Sequence, residues 1–130
     1  MEISIERFVT GPLETNTYLI INEKKHVLII DPSSGCSELI SYISTNQYIP
    51  EAIILTHGHF DHCLGISELQ DIFTNLPVYI NQKEKELLFD PNKNGSILIG
   101  MDWTFTGVTY DLPVGPMTIG SFQINVIAVP

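Results

Sequence analysis

The chain has 130 residues, 44% of them hydrophobic, so it can form one domain with its own core. Six basic and fifteen acidic residues give a formal net charge of −9, which makes nucleic acid and anionic membrane poor partners. No apolar run approaches the ~20 residues of a membrane helix, and the amino terminus lacks a secretory signal pattern. With only two cysteines and no disulfide framework, the composition predicts a cytoplasmic α/β protein.

Hydrophobic periodicity predicts seven strands and three helices along the chain. We expect strands at 3–9, 17–22, 26–30, 52–56, 78–80, 116–121 and 123–129, and helices at 37–45, 62–74 and 82–89. The apolar run 52–55 is typical of a buried strand in a parallel sheet. Asn81 is a favourable N-cap for the third helix, with Glu84 three residues later as in a capping box. Residues 90–115 have turn chemistry and poor periodicity, which predicts a long loop.

A cluster of possible metal ligands follows the apolar run. His57, His59, Asp61 and His62 fall within six consecutive positions, and a chance grouping of four such residues is far less common than a lone histidine. Imidazole and carboxylate bind zinc and similar divalent ions. In an extended segment His57 and His59 point to the same side, while Asp61 and His62 can turn toward a second point. The cluster would lie between a strand's carboxyl end and a helix, where open α/β sheets place their sites.

Two further residues, Asp31 and His26, could contribute to a metal site. Asp31 also ends an apolar strand, and because ligating imidazoles usually donate their second N–H to a carboxylate, it is a candidate to orient a histidine ligand. Asp31 can equally be read as a turn former before Pro32. His26 lies between a lysine and an apolar strand, which favours an exposed hairpin or strand-edge histidine over a ligand.

The segment His57-Gly58-His59-Phe60-Asp61-His62 resembles the His-x-His-x-Asp-His signature of the metallo-β-lactamase superfamily. Residues 11–20 and 27–32 resemble the first strands of its glyoxalase II-like (hydroxyacylglutathione hydrolase-like) branch, and the resemblance extends over essentially the whole chain. It implies an α/β fold class with the four-layer αββα sandwich. The positions of His57 and His59 would bind one metal ion and those of Asp61 and His62 a second. Zinc is the default ion, with iron or manganese as alternatives.

The resemblance also implies an activity. Enzymes of this branch are hydrolases in which a metal-bound hydroxide attacks a carbonyl carbon, so we expect a small-molecule thioester substrate such as a hydroxyacylglutathione. Asp61 would be the catalytic carboxylate. Two alternatives stay open: an iron-dependent persulfide dioxygenase, which shares much of the motif, and a non-catalytic metal-binding fragment.

The extent of the domain follows from the same resemblance. Residues 122–130 resemble the strand that leads, in the family, into a Gly-His-Thr-Pro-Gly segment whose histidine completes the first metal site. We therefore expect residues 1–130 to form one metallo-β-lactamase-like domain truncated before its carboxy-terminal half. Such a chain would bind metal weakly. It would also self-associate, as a homodimer through the face that the second half would cover.

The first prediction concerns His59. If His59 is a ligand, His59→Ala should remove most of the bound metal and the activity, because the ion loses one imidazole of a small ligand set. Elemental analysis of the purified variant checks this. Full metal stoichiometry in His59→Ala would contradict the assignment.

Overall fold

The computed structural model describes residues 3–11, 14–56, 63–73, 76–85 and 107–127. Their secondary structure comprises eight strands and two helices. The strands are β1 (Ile3–Thr10), β2 (Thr15–Asn22), β3 (His26–Ile30), β4 (Ile49–Leu55), β5 (Val78–Ile80), β6 (Tyr110–Asp111), β7 (Gly115–Ile119) and β8 (Phe122–Val126). The helices are α1 (Ser37–Thr45), between β3 and β4, and α2 (Ile66–Ile72), between β4 and β5. None of the helices in these ranges is long and apolar enough to cross a membrane.

Six of the strands form one mixed sheet in the order β1-β2-β3-β4-β5-β6. β1, β2 and β3 are antiparallel neighbours, whereas β3, β4, β5 and β6 run parallel. A parallel pair needs a crossover connection, which α1 provides between β3 and β4 and α2 between β4 and β5. The carboxyl ends of these strands therefore meet at one edge of the sheet. Asp31, Thr56 and Asn81 each come directly after a strand at that edge.

The central strands of the sheet are covered on both faces, which gives three layers. On one face α1 and α2 pack against the sheet through aliphatic side chains, among them Leu39, Ile43, Ile66, Leu69, Ile29 and Ile53. On the other face β7 and β8 form a separate two-stranded hairpin, and a second core forms there from Leu28, Ala52, Ile54, Leu112, Ile119 and Phe122. The central strands are thus buried from both sides, as their continuous apolar sequence predicts.

The uncovered part of the sheet lies at β1. Ile5 pairs with Ile20, which packs against the hairpin-side core, so Ile5 belongs to the same face of the sheet. Ile3, Ile5 and Val9 alternate along β1 and are all exposed, Ile5 to 62%. The hairpin therefore covers β3 and β4 but leaves apolar side chains of β1 in solvent. The homodimer expected from the sequence stays a prediction.

Most of the predicted strands are confirmed, although β2 begins at Thr15 instead of residue 17 and three further differences occur. β4 begins at Ile49 instead of residue 52, because Ile49 and Pro50 still pair with β3 at its half-exposed end. The hairpin strands end earlier than predicted, with the turn at residues 120–121. The prediction of an unbroken loop over 90–115 is wrong at Tyr110–Asp111, where β6 pairs with β5. Two residues are too few to show periodicity, so sequence could not reveal this strand.

The predicted helices differ from the structure more than the predicted strands do. Helix 37–45 is confirmed as α1, but helix 62–74 is wrong in length, because residues 63–65 form a turn and α2 spans only Ile66–Ile72. In the third helix residues 82–84 form a turn, and 86–89 lie outside the described residues. The capping role of Asn81 is supported, since its Oδ1 accepts a hydrogen bond from the Lys83 backbone N–H at 2.9 Å.

A polar cluster fastens the hairpin to the sheet at the edge opposite Thr56. Val27 pairs with Pro50 and Leu28 with Ala52, so Glu51 is an extra residue in β4, a bulge that redirects its side chain. The Glu51 carboxylate accepts hydrogen bonds from the Ser121 backbone N–H at 2.7 Å and the Ser121 hydroxyl at 2.8 Å, and it contacts Nδ1 of His26.

The hairpin turn is shaped around this carboxylate. Gly120 has a φ of +55°, and a Cβ at that position would lie 1.6 Å from Glu51 Oε2. Burial by itself would raise the pKa of Glu51, but the hydrogen bonds from His26 and Ser121 outweigh it and lower the pKa below its usual 4.5. The cluster is therefore built for an ionised carboxylate.

We predict that Glu51→Ala lowers the free energy of unfolding by about 1–3 kcal/mol at pH 7, because it leaves the Ser121 donors without their acceptor. Since folding lowers the pKa of Glu51, its stabilising contribution is present above about pH 4.5 and is lost as the pH falls through the folded pKa. Urea unfolding between pH 7 and 3.5 should therefore show that the difference in the free energy of unfolding between the wild type and Glu51→Gln becomes smaller as the pH falls. Glu23→Gln, at an exposed position, is the control. A difference that is constant with pH would contradict this prediction.

Candidate metal centre

The four predicted ligands, His57, His59, Asp61 and His62, lie outside the described residues, so their assignment stays a prediction. What the structure describes is the chain on either side. β4 is a buried parallel strand that ends at Leu55, and α2 begins at Ile66 after a turn at residues 63–65. The sequence placement of the motif between the carboxyl end of such a strand and a helix is therefore confirmed for both flanks.

Asp31 holds the residue that immediately precedes the motif. Its Oδ1 accepts a hydrogen bond from the Thr56 backbone N–H at 2.7 Å, and its Oδ2 accepts one from the Thr56 hydroxyl at 2.5 Å. The Asp31 carboxylate accepts both hydrogen bonds, and the residue is only 5% exposed. Hydrogen bonds to a carboxylate are stronger than those between neutral groups. The position and rotamer of Thr56 are thereby fixed one residue before His57.

The surroundings of Asp31 support one of the two interpretations made from sequence. Its φ of 53° is in the left-handed region, which Asp tolerates better than most residues, so Asp31 does turn the chain at the end of β3. Its carboxylate nevertheless points across to β4 and binds Thr56. Contact with a histidine ligand stays a prediction, because those histidines are outside the described residues.

A buried network of threonine hydroxyl groups binds the backbone of the chain at Asp31 and Ser33. The Thr17 hydroxyl donates to the Asp31 carbonyl at 2.9 Å and shares a 2.8 Å hydrogen bond with the Thr10 hydroxyl. Thr10 Oγ1 also accepts from the Ser33 backbone N–H at 3.1 Å. Sequence reasoning missed these threonines. The available signal was that Thr15 and Thr17 continue the inward face of β2 that Leu19 and Ile21 occupy, and inward polar groups need partners.

His26 is separated from the motif by the length of β4. It begins β3 opposite Ile49, whereas Thr56 follows the other end of β4, about 20 Å away for seven residues in a strand. Its hairpin position is confirmed, but the side chain is half-buried against Glu51 instead of exposed. Among the residues described, no group of three or more His, Cys, Asp or Glu side chains is placed to hold a metal ion.

Neither cysteine forms a disulfide, and both are fully buried, which confirms the sequence reading of two free thiols. Desolvation raises the pKa of Cys36 to about 12, with the nearby Glu68 carboxylate adding to the rise. Cys63 packs in the helix-side core next to the motif. Cys36 is therefore a neutral thiol, poorly suited to bind a metal ion as a thiolate.

A cavity of about 600 Å³ lies beside Thr56 at the carboxyl ends of β4 and β5. Aliphatic side chains of the sheet and of the hairpin side form much of its wall: Ile54, Leu55, Leu112, Val114, Val126 and Ile127. Asn81, Lys83 and Glu84 form a polar wall after β5. The motif therefore leaves β4 at the border of a largely apolar cavity with a few polar groups, which is the usual character of a small-molecule site.

The chain belongs to the metallo-beta-lactamase superfamily, because residues 10–122 match the model of that family. Among curated proteins it is 33% identical over 126 residues to the probable metallo-hydrolase YqgX of Bacillus subtilis, covering 95% of this chain and 59% of YqgX. It is 34% identical over 113 residues to a hydroxyacylglutathione hydrolase of Yersinia enterocolitica, covering 87% of this chain and 38% of that enzyme. The chain thus spans less than two thirds of the length of each of these relatives.

Superposition on solved structures assigns the chain to the same class of protein. The B3 metallo-beta-lactamase BLEG-1 superposes with a TM-score of 0.87 at 34% identity, over 98% of this chain and 62% of BLEG-1. The protein TTHA1623, solved in a di-iron-bound form, superposes with a TM-score of 0.74 at 28% identity, over 88% of this chain and 57% of its own. The mixed sheet with its helices and hairpin is therefore part of the metallo-β-lactamase fold, as the sequence predicts.

The Asp31–Thr56 contact yields the third prediction. Thr56→Val keeps the shape of the side chain but removes the hydroxyl, and we expect it to cost about 1 kcal/mol in the free energy of unfolding. Asp31→Asn tolerates the left-handed φ and removes one acceptor. Because both changes remove the same hydrogen bond, the double variant should lose less than the sum of the single losses. Urea unfolding of the four proteins measures this coupling, with Thr56→Ser as the control that retains the hydroxyl; additive losses would contradict it.

Proposed function

We propose that the protein is a metal-dependent hydrolase of the metallo-β-lactamase superfamily that acts on a thioester such as a hydroxyacylglutathione. The observation that carries the proposal is the set His57, His59, Asp61 and His62, which begins two residues after a buried parallel strand of this fold. The similarity to hydroxyacylglutathione hydrolases, at 34% identity over 113 residues, supports the choice of substrate.

The chemistry of the donor set fits divalent metal ions. Three imidazoles and one carboxylate, with no thiolate, suit zinc, iron or manganese. In this proposal His57 and His59 hold one ion, and Asp61 and His62 hold the second. Bound ions would polarise the substrate carbonyl and acidify a coordinated water to a pKa of about 7. Zinc is the default, and the di-iron form of TTHA1623 supports iron as the leading alternative.

Residues of the protein would position the motif, exclude water and attract the substrate. Asp31 holds Thr56, so that the chain enters the motif from a fixed residue. Asp61 is the proposed catalytic carboxylate, since it adjoins the reacting centre as a ligand. The aliphatic wall of the cavity, formed by residues such as Leu112 and Val126, would exclude water from the acyl group. Lys83 on the polar wall would attract an anionic substrate, which a chain of net charge −9 otherwise repels.

The similarity to BLEG-1 favours a second candidate, the hydrolysis of a β-lactam. BLEG-1 is described as a B3 metallo-beta-lactamase and is 34% identical across 98% of this chain. Thioester and β-lactam hydrolysis both transfer an acyl group to water, so one donor set can serve either reaction. The substrates differ in the leaving group, a thiolate in one and a ring amide nitrogen in the other. Substrate comparison therefore separates the two candidates.

The fourth prediction concerns this comparison, made with the protein as its gene encodes it. We expect turnover of a hydroxyacylglutathione to exceed turnover of a chromogenic cephalosporin. The rate should rise with pH through about 7, where a metal-coordinated water ionises, and should be abolished by a chelator and restored by zinc or iron. Elemental analysis identifies the ion, and His26→Asn serves as a control histidine outside the motif.

Several outcomes would contradict the proposal. Undiminished turnover after exhaustive chelation would eliminate the metal-dependent mechanism. Faster turnover of the cephalosporin would replace the thioester with the β-lactam. Oxygen consumption with a persulfide in an iron-loaded sample would favour the dioxygenase, and the absence of all three activities would favour a non-catalytic metal-binding protein.

A further inference from the structure

One loop contacts the chain on both sides of the metal motif. This β3–α1 loop, residues 31–36, binds Thr56 through the Asp31 carboxylate, on the amino-terminal side of the motif. On the carboxyl-terminal side, the Gly65 backbone N–H donates to the Pro32 carbonyl at 2.9 Å. The six motif positions 57–62 therefore lie between two points that are attached to the same short loop.

The contact on the carboxyl-terminal side is close. A Cβ at position 65 would lie 2.2 Å from the Ser33 carbonyl oxygen and 2.8 Å from Cys36 Sγ, so only glycine fits against the loop. Cys36 Sγ itself donates to the Ser33 carbonyl at 2.8 Å, which fixes the loop from within. Backbone therefore packs directly on backbone three residues after His62.

Glu68 adds a charged contact one turn further along. Its Oε1 accepts from the Gly35 backbone N–H at 2.8 Å and its Oε2 from the Cys36 backbone N–H at 3.2 Å. Cys36 is the N-cap residue of α1, and its side chain makes no capping hydrogen bond. The carboxylate of α2 therefore satisfies free N–H groups at the start of α1, where a negative charge is also favoured by the helix dipole.

We propose that Glu68 is a positioning residue for the metal centre, because it holds α2 against the β3–α1 loop and so fixes the distance between the two ends of the motif. The proposal rests on the proposed function, since it assumes that residues 57–62 bind metal. Glu68 does not touch the ions. It acts by holding the carboxyl-terminal flank of the motif where Asp31 and Thr56 already hold the other flank.

The physical reason lies in the cost of ordering the motif. Fixing the backbone of one residue costs about 1–2 kcal/mol in conformational entropy. A segment whose two ends are already fixed loses less conformational entropy when metal binds, so metal binding is more favourable. Changes to groups that hydrogen-bond directly to metal ligands typically weaken metal affinity about 10–100-fold. We expect an effect at the lower end of this range from the loss of the Glu68 carboxylate, because Glu68 acts on the flank of the motif and not on a ligand.

The test compares Glu68→Gln and Glu68→Ala with Glu38→Gln, an exposed glutamate in the first turn of α1. Metal dissociation constants are measured by competition with a chromophoric chelator, well below each melting temperature. We expect Glu68→Gln, which keeps one acceptor oxygen, to weaken zinc binding by about 10-fold and Glu68→Ala by more. Glu38→Gln should bind as the wild type does. A lower melting temperature with unchanged metal affinity in both Glu68 variants would overturn the proposal, because it would show a structural role only.

A second measurement does not need metal or activity. Hydrogen exchange of the metal-free protein should be faster in the peptide covering residues 57–62 in Glu68→Gln than in the wild type, while β1 and β2 remain unchanged. Unchanged exchange at 57–62 would overturn the role of Glu68 even if metal binds. If the wild type binds no metal and hydrolyses no substrate, the proposed function fails, and the exchange result still decides the role of Glu68. Glu68→Gln preserves side-chain size, so it carries the test if Glu68→Ala does not fold.

Discussion

The contact between the Asp31 carboxylate and Thr56 is the constraint on which the site depends. It joins the ends of two neighbouring parallel strands through a backbone N–H and a hydroxyl. A carboxylate that is 5% exposed needs such donors, because an unpaired buried charge is costly. Thr17 in turn holds the Asp31 carbonyl. The edge of the sheet that faces the motif is therefore fixed by polar contacts, while aliphatic side chains fix the faces.

β4 serves two different purposes at its two ends. At the carboxyl end, Thr56 leads into the motif. At the amino end, the bulge at Glu51 turns a carboxylate toward Ser121 and fastens the β7–β8 hairpin. Val126 and Ile127, at the far end of that hairpin, line the cavity beside Thr56. The hydrogen bonds at one edge of the sheet thus help to place the apolar wall at the other.

Sequence predicted what depends on local pattern. The run Ala52–Leu55 predicted the buried parallel strand, and the spacing of His57, His59, Asp61 and His62 predicted the family; both are confirmed. The role of these four residues as metal ligands stays a prediction. The contacts that support the site were not predictable, because they join residues far apart in the chain. Asp31 and Thr56 are 25 residues apart, and Cys36 and Glu68 are 32 apart. A single sequence carries no signal for such pairs, and the bulge at Glu51 likewise depends on its pairing with β3.

The placement of charge is compatible with the metal site predicted at residues 57–62. Three carboxylates accept hydrogen bonds from backbone N–H or hydroxyl groups: Asp31 from Thr56, Glu51 from Ser121, and Glu68 from Gly35 and Cys36. Glu51 also contacts His26. Backbone N–H and hydroxyl groups carry no formal positive charge that would repel a divalent ion. The scaffold around the motif can therefore be rigid and negatively charged at once. That combination favours the binding of cations near the motif.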